Sequence, residues 1–176
     1  MADEQKRFTR TLSRFELAIA VILIGIFIGV FVQRVILLTV ASEATSLELM
    51  IRNLRTGVML YVSGQLIEGR YKLIEKLAES DPFNYMEAPF NYGGSRTAGE
   101  IETAAAGQWF YDRDNEELVY KIINKDYFNS ETGKDEVRIK FVLSFDDRNN
   151  NGTYEQDTDR PHGVSLKLMN KYAWSY

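Results

Sequence analysis

Residues 17–32 read LAIAVILIGIFIGVFV, sixteen positions without a charge, a polar side chain or a proline. A segment of that kind is at home as a helix in a bilayer, where every peptide group bonds inside the helix and no side chain needs water. At about 1.5 Å per residue the run is roughly 24 Å long. Residues 35–41, after the polar pair Gln33-Arg34, carry it toward the ~30 Å hydrocarbon core, and Arg34 has the reach to snorkel to the headgroups. A cleaved secretory signal is the rival reading; the length of the run and the lack of an A-x-A-like site after it count against it. Lys6, Arg7, Arg10 and Arg14 precede the helix, against Asp3 and Glu4. That bias holds the N-terminus in the cytoplasm and sends the rest of the chain across. The expected organisation is a basic tail or leader over 1–14, a transmembrane helix over 15–42, and an extracytoplasmic domain over 43–176.

Composition narrows the function more than the fold. The net charge of −4 is mild, and a basic patch this small beside an apolar run orients a helix rather than binding nucleic acid. There is no cysteine, hence no disulfide framework and no thiolate chemistry. His162 is the single histidine, which argues against a His-based catalytic or zinc constellation. The carboxylates fall into no acid/base frame, and Gly93-Gly94 reads as neither following a strand nor opening a helix, so it is no phosphate loop. An enzyme is not expected.

Beyond the apolar run the helical signal continues one-sided. Leu47, Met50, Ile51, Leu54, Val58, Tyr61, Val62, Leu66, Ile67, Tyr71, Ile74 and Leu77 recur at gaps of three and four, predicting an amphipathic helix as far as Asp81-Pro82. Gly57, Gly64 and Gly69 weaken it by up to about 1 kcal/mol each, which packing has to offset. Residues 81–107 read as a long loop with a doubled aromatic motif, Phe83-Asn84-Tyr85 and Phe90-Asn91-Tyr92. The period then changes to two, over 108–111, 117–123, 136–145 and 163–169, with a turn at 112–115. The expected fold is α+β, a long N-terminal helix packed on the apolar face of a four-stranded antiparallel sheet.

Taken together, LSRFELAIAVILIGIFIGV, its amphipathic continuation, the variable loop and the sheet resemble the type IV pilin superfamily, which includes the pseudopilins of type II secretion. The phrase GQWFYDRDNEELVYKI is also similar to the first hairpin of some pseudopilin-like proteins. The resemblance places Glu16 on the family's buried glutamate and Gly25 on its helix glycine. With Gly29, Gly25 also forms the G-x-x-x-G that lets helices approach closely. It further implies processing between Thr11 and Leu12, where the family has a glycine and an N-methylated phenylalanine. Arg14 adds a charge to what would be the mature helix, and Gln33 stands where a proline is common. In the family the glutamate is thought to pair with the new N-terminal amine of a neighbour. In a chain left uncut, Arg14 or Arg10 of a neighbouring copy is the expected partner of Glu16, because residues two apart on one helix do not face each other.

Residues 146–159, DDRNNNGTYEQDTD, are the densest run of oxygen ligands. Asp147, Asn149, Asn151 and Gly152 match the opening D-x-N-x-N-G of a Ca²⁺ loop, with Asp157 and Asp159 on either side of the twelfth position, held by Thr158. A solvated turn reversed at Asn151-Gly152 explains the same residues; the resemblance favours Ca²⁺, since some pseudopilins hold it in a C-terminal loop. What the resemblance implies is a structural subunit of a type IV pilus or type II secretion filament, anchored in a bacterial inner membrane and partnered by copies of itself or other pilin-like subunits. The alternative is a monomeric membrane-anchored periplasmic adaptor that does not polymerise.

Overall fold

The computed structural model describes residues 14–175. One helix, α1 (Arg14–Ile67), runs for 54 residues. The chain divides into two units, one up to Thr39 and one from Val40 on. In the first, α1 is long and apolar enough to cross a membrane, and none of its most apolar stretch is buried by protein. Its side chains from Phe15 to Val32 lie open, as suits a helix that lipid or other helices surround.

In the second unit, Val40, Ala44, Leu47, Ile51, Leu54, Val58 and Val62 form the buried stripe of α1, spaced by three and four. Met50, Tyr61 and Leu66 flank it half-buried, whereas Ile67 departs from the stripe and is exposed. The expected continuous helix to Leu77 is two helices. Gly69, at φ +69°, takes the left-handed conformation that ends α1. The Gly69 N–H donates to the Leu66 carbonyl at 3.2 Å and the Arg70 N–H to the Gln65 carbonyl at 2.9 Å, the pair of bonds of a Schellman motif. Helix α2 (Tyr71–Glu79) then sets Ile74 and Leu77 into the same core.

The loop expected over 81–107 holds more structure than its composition suggests: a short 3₁₀ turn at Pro82–Asn84, strand β1 (Tyr92–Arg96) and a one-turn helix α3 (Ala98–Glu102). Gly93 lies inside β1, because a Cβ there would come within 2.2 Å of the buried Phe110 ring. The doubled aromatic motif is split: Phe83 and Tyr92 rings lie 4.5 Å apart and Tyr85 packs 5.3 Å from Tyr61, while Phe90 is fully exposed.

The four expected strands are present as β2 (Trp109–Asp112), β3 (Glu117–Lys121), β5 (Glu136–Asp146) and β6 (Arg160–Leu168). With β1 they make a five-stranded sheet in the order β1-β2-β3-β5-β6, antiparallel except where β1 runs parallel to β2. That parallel step needs a crossover, and α3 lies in it. Two three-residue strands, β4 (Phe128–Ser130) and β7 (Tyr172–Trp174), pair separately around the Phe128, Tyr172 and Trp174 rings. The sheet is covered on both sides. Trp109, Leu118, Tyr120, Val137, Ile139 and Phe141 face α1 and α2, while Phe110 and Val119 lie under Ile101 of α3.

Phenols buried in this core favour their neutral form. Burial, then the charges of Glu116, Asp81 and Asp112, pushes the Tyr111 hydroxyl up to about 12. Burial also raises Tyr120, with Glu43 adding to it, and Tyr92, with Asp81 adding to it. A raised phenol keeps its stabilisation below its unfolded value near 10.0 and loses it as pH climbs through the folded value. Titration followed at 295 nm should therefore show a group of tyrosines ionising near pH 10 and a later group, Tyr111 at about 12 among them. Uniform ionisation near 10 without unfolding would contradict this burial.

Candidate assembly surface and polar sites

Arg14 opens α1 and Glu16 lies in its first turn, both exposed. Gly25 and Gly29 follow four residues apart on one face, and a Cβ at either would meet nothing within 4 Å. Each glycine therefore marks a place on the helix where another backbone has room to come close. Thr11 and Leu12, like Arg10, lie outside the described residues. In the second unit the face of α1 turned away from the sheet carries Leu49, Met59, Leu60 and Ile67, all more than half exposed, with Arg52 and Arg55 among them. An exposed apolar surface of this kind is an interface with lipid or with protein.

The helix also carries an interaction that composition does not reveal. Glu43, 7% exposed, accepts four hydrogen bonds: from the Tyr120 hydroxyl (3.1 Å), the Ile123 and Asn124 N–H groups (2.7 and 2.9 Å) and the Asn124 side-chain amide (2.7 Å). Two successive backbone N–H groups pointed at one carboxylate make a small anion nest. It ties α1 to the segment that leaves β3.

A second buried polar group lies on the opposite face of the sheet. The Arg138 guanidinium donates to Asp112 (2.8 Å), Glu117 (3.0 Å) and Glu136 (2.7 Å), and Lys121 stands 3.7 Å from Glu136. Asp112 is fully buried and also receives the N–H of Asp114 and the side-chain amide of Asn115, which shapes the β2–β3 turn. Burial alone would raise its carboxyl, but the bonds from Asn115, Arg138 and Asp114 outweigh that and hold it low. Arg138 is held charged by the three carboxylates despite its own burial. Glu117, Lys121, Glu136 and Arg138 border a concavity of about 470 Å³ beside α3. Two cations, Arg138 and Lys121, are bound up with three carboxylates here, so the arrangement is a structural ion-pair network.

The acidic loop between β5 and β6 closes on itself. Asp147 accepts from the Asn151 and Gly152 N–H groups, at 3.2 and 2.7 Å. Glu155 joins Asn149 and Asn151, taking their side-chain amides at 2.8 and 3.0 Å. Asp159 is buried and receives the Arg148 and Glu155 N–H groups, while Asp157 is exposed and makes no hydrogen bond with the cluster. The loop thus gathers Asp147, Asn149, Asn151 and Glu155 and sends Asp157 elsewhere. Glu155 was legible as the ninth position of the loop counted from Asp147, a place where Ca²⁺ loops put a ligand. Among the described residues no group of three or more His, Cys, Asp or Glu is placed to hold a metal ion. His162 is exposed at 3.6 Å from Asp146.

The arrangement is that of a pilin-like protein in its order of elements: a long N-terminal helix, bare and apolar in its first half, packed on a sheet with its second. Comparison with protein-family models, with curated proteins and with solved structures finds no match to this chain.

Proposed function

We propose that this protein is a pilin-like structural subunit of a type IV pilus or type II secretion filament, assembling through its N-terminal hydrophobic helix. The observation that carries the reading is the bare apolar surface of α1, which continues onto the packed domain as Leu49, Met59, Leu60 and Ile67. A simple anchor needs apolar surface only where it meets lipid. Residues 14–41 already amount to about 42 Å of helix, more than the ~30 Å core requires. The positive N-terminal flank supports a domain in the periplasm or in an extracellular filament.

Gly25→Leu should sharply reduce multimers recovered by cross-linking in native membranes, since a bulky side chain there holds apart helices that a glycine lets approach closely. Glu16→Gln should disturb assembly as well. An adaptor that works as a monomer would keep its multimer profile and its function through both changes. The intact mass of the protein from its own membrane distinguishes the readings further. Loss of residues 1–11 marks prepilin-type processing, and the full-length mass favours the anchored adaptor.

The β5–β6 loop is proposed to take Ca²⁺, because its gathered side chains offer oxygen donors, the preference of a hard cation. Melting of the full chain should rise on the order of 5 °C with saturating Ca²⁺ over EGTA, and Asp147→Ala should abolish the rise. Identical melting with and without Ca²⁺ would remove the ion from the account.

A further inference from the structure

Glu43 follows Ala41, the end of the apolar run, by two positions of α1, about 3 Å of helix. Whatever surrounds the end of that run is therefore within reach of the groups that Glu43 holds. One of them is Ile123, whose N–H is bonded to Glu43 while its side chain stays 57% exposed. Gly107 lies against it, since a Cβ there would meet the Ile123 Cδ1 at 2.8 Å. Ala105 and Ala106, both exposed, lead into that glycine.

A turn brings an aromatic ring to the same end of the sheet. The Tyr92 N–H donates to the Pro89 carbonyl at 3.0 Å, which closes a turn with Phe90 and Asn91 at its tip. The Asn91 side-chain amide donates to the Gly107 carbonyl at 2.7 Å, and the Asn91 carbonyl accepts from the Trp109 N–H at 3.1 Å. The tip is thus fastened beside the segment that touches Ile123, yet Phe90 is fully exposed. The exposed charges nearby cancel in pairs. Lys125 and Asp126 follow Asn124, and Lys134 precedes Asp135, whose carbonyl accepts from the Ile122 N–H. What remains is apolar surface without a net charge.

We propose that Phe90, Ala105, Ala106 and Ile123 form a contact with the bilayer surface, entering the boundary between headgroups and acyl chains. Aromatic and aliphatic side chains settle in that layer by burying apolar area, and a patch with balanced charge does so without anionic lipid. The occupant is lipid because Glu43 ties the patch to the helix within two residues of the apolar run. The proposal rests on α1 crossing the bilayer and is indifferent to polymerisation.

The chain has no cysteine, so single labels can be placed at will. Phe90→Cys, Ile123→Cys, Ile28→Cys and Gln156→Cys are each made in the full chain, labelled with bimane and reconstituted into phosphatidylcholine vesicles. Near-ultraviolet circular dichroism checks that each is folded. Phosphatidylcholine carrying a doxyl quencher near the headgroup should remove most of the fluorescence at 90 and 123. It should leave that at Gln156, exposed in the β5–β6 loop, unchanged. Phe90→Ser should lessen the quenching at 123, which separates the native contact from any affinity of the label itself. Quenching at 90 and 123 no greater than at 156, with Ile28 still quenched by a doxyl deep in the acyl chains, overturns the contact and leaves the span standing. An unquenched Ile28 label overturns both. A disulfide between two Phe90→Cys copies without lipid quenching gives the patch to a second copy and overturns the proposal as well.

Discussion

Arg138→Met will destabilise the domain by about 3 kcal/mol, because it strands three carboxylates that have no other full counter-charge. Asp112 is fully buried, Glu117 and Glu136 nearly so, and all three point at one guanidinium. Lys121, 3.7 Å from Glu136, cannot serve the other two. The fall in melting temperature should be on the order of 10 °C for the full chain. The pH response gives the change a signature. In the native protein the Asp112 carboxyl is held below its ordinary value of 3.8, so its contribution is complete above that pH and is lost as pH falls through the folded value. Without Arg138 the folded value rises, and acid unfolding should begin at higher pH. Adding Glu117→Gln to Arg138→Met should recover part of the loss, since the two changes act on one network. A melting temperature within about 2 °C of the parent would show that water reaches the cluster and screens it.

Glu43→Leu should cost a similar amount, about 3 kcal/mol, for a different reason. No cation faces Glu43 among the described residues; four neutral donors do. Leucine keeps the bulk and leaves the part-buried Ile123 and Asn124 N–H groups without their acceptor, at about 1–3 kcal/mol for each donor left unsatisfied. Glu43→Gln keeps one carbonyl oxygen and should cost about 1 kcal/mol. Hydrogen exchange locates the effect: the amides of Ile123 and Asn124 should exchange faster in Glu43→Gln, while Val137 and Ile139 in β5 change little. Unchanged exchange at 123 and 124 would mean that the nest is not closed by Glu43 in solution. This contact joins α1 to the sheet across 80 residues of sequence. Its loss should therefore loosen the helix from the strands before the strands from one another.

Much of the architecture was legible because it follows from local chemistry. The bare half of α1 is set by sixteen side chains that all avoid water, whatever the rest of the chain does. The buried stripe from Leu47 to Val62 and the alternation in β2, β3 and β5 are likewise periodicities of the chain itself, 3.6 and 2 residues, and both survive into the core. The Asn-Gly of the acidic loop announced a reversal, and Gly152 takes it with φ +75°.

Tertiary structure decided the rest. Gly57, Gly64 and Gly69 look alike along the stripe, yet only Gly69 ends the helix. Gly57 stays inside α1, where a Cβ would come within 3.3 Å of the Met86 sulfur. Strand β1 has almost no strand-forming side chains; it exists because Gly93 lets the backbone pass over Phe110 and because β2 offers a free edge. Nothing along the chain marks the roles of Glu43, Asp112 or Arg138, since a charge carries no sign of what will stand opposite it. Burial and partner come from residues 21 to 81 positions away, and a sequence pattern of period two or 3.6 records a residue's face but not the chain that closes over it.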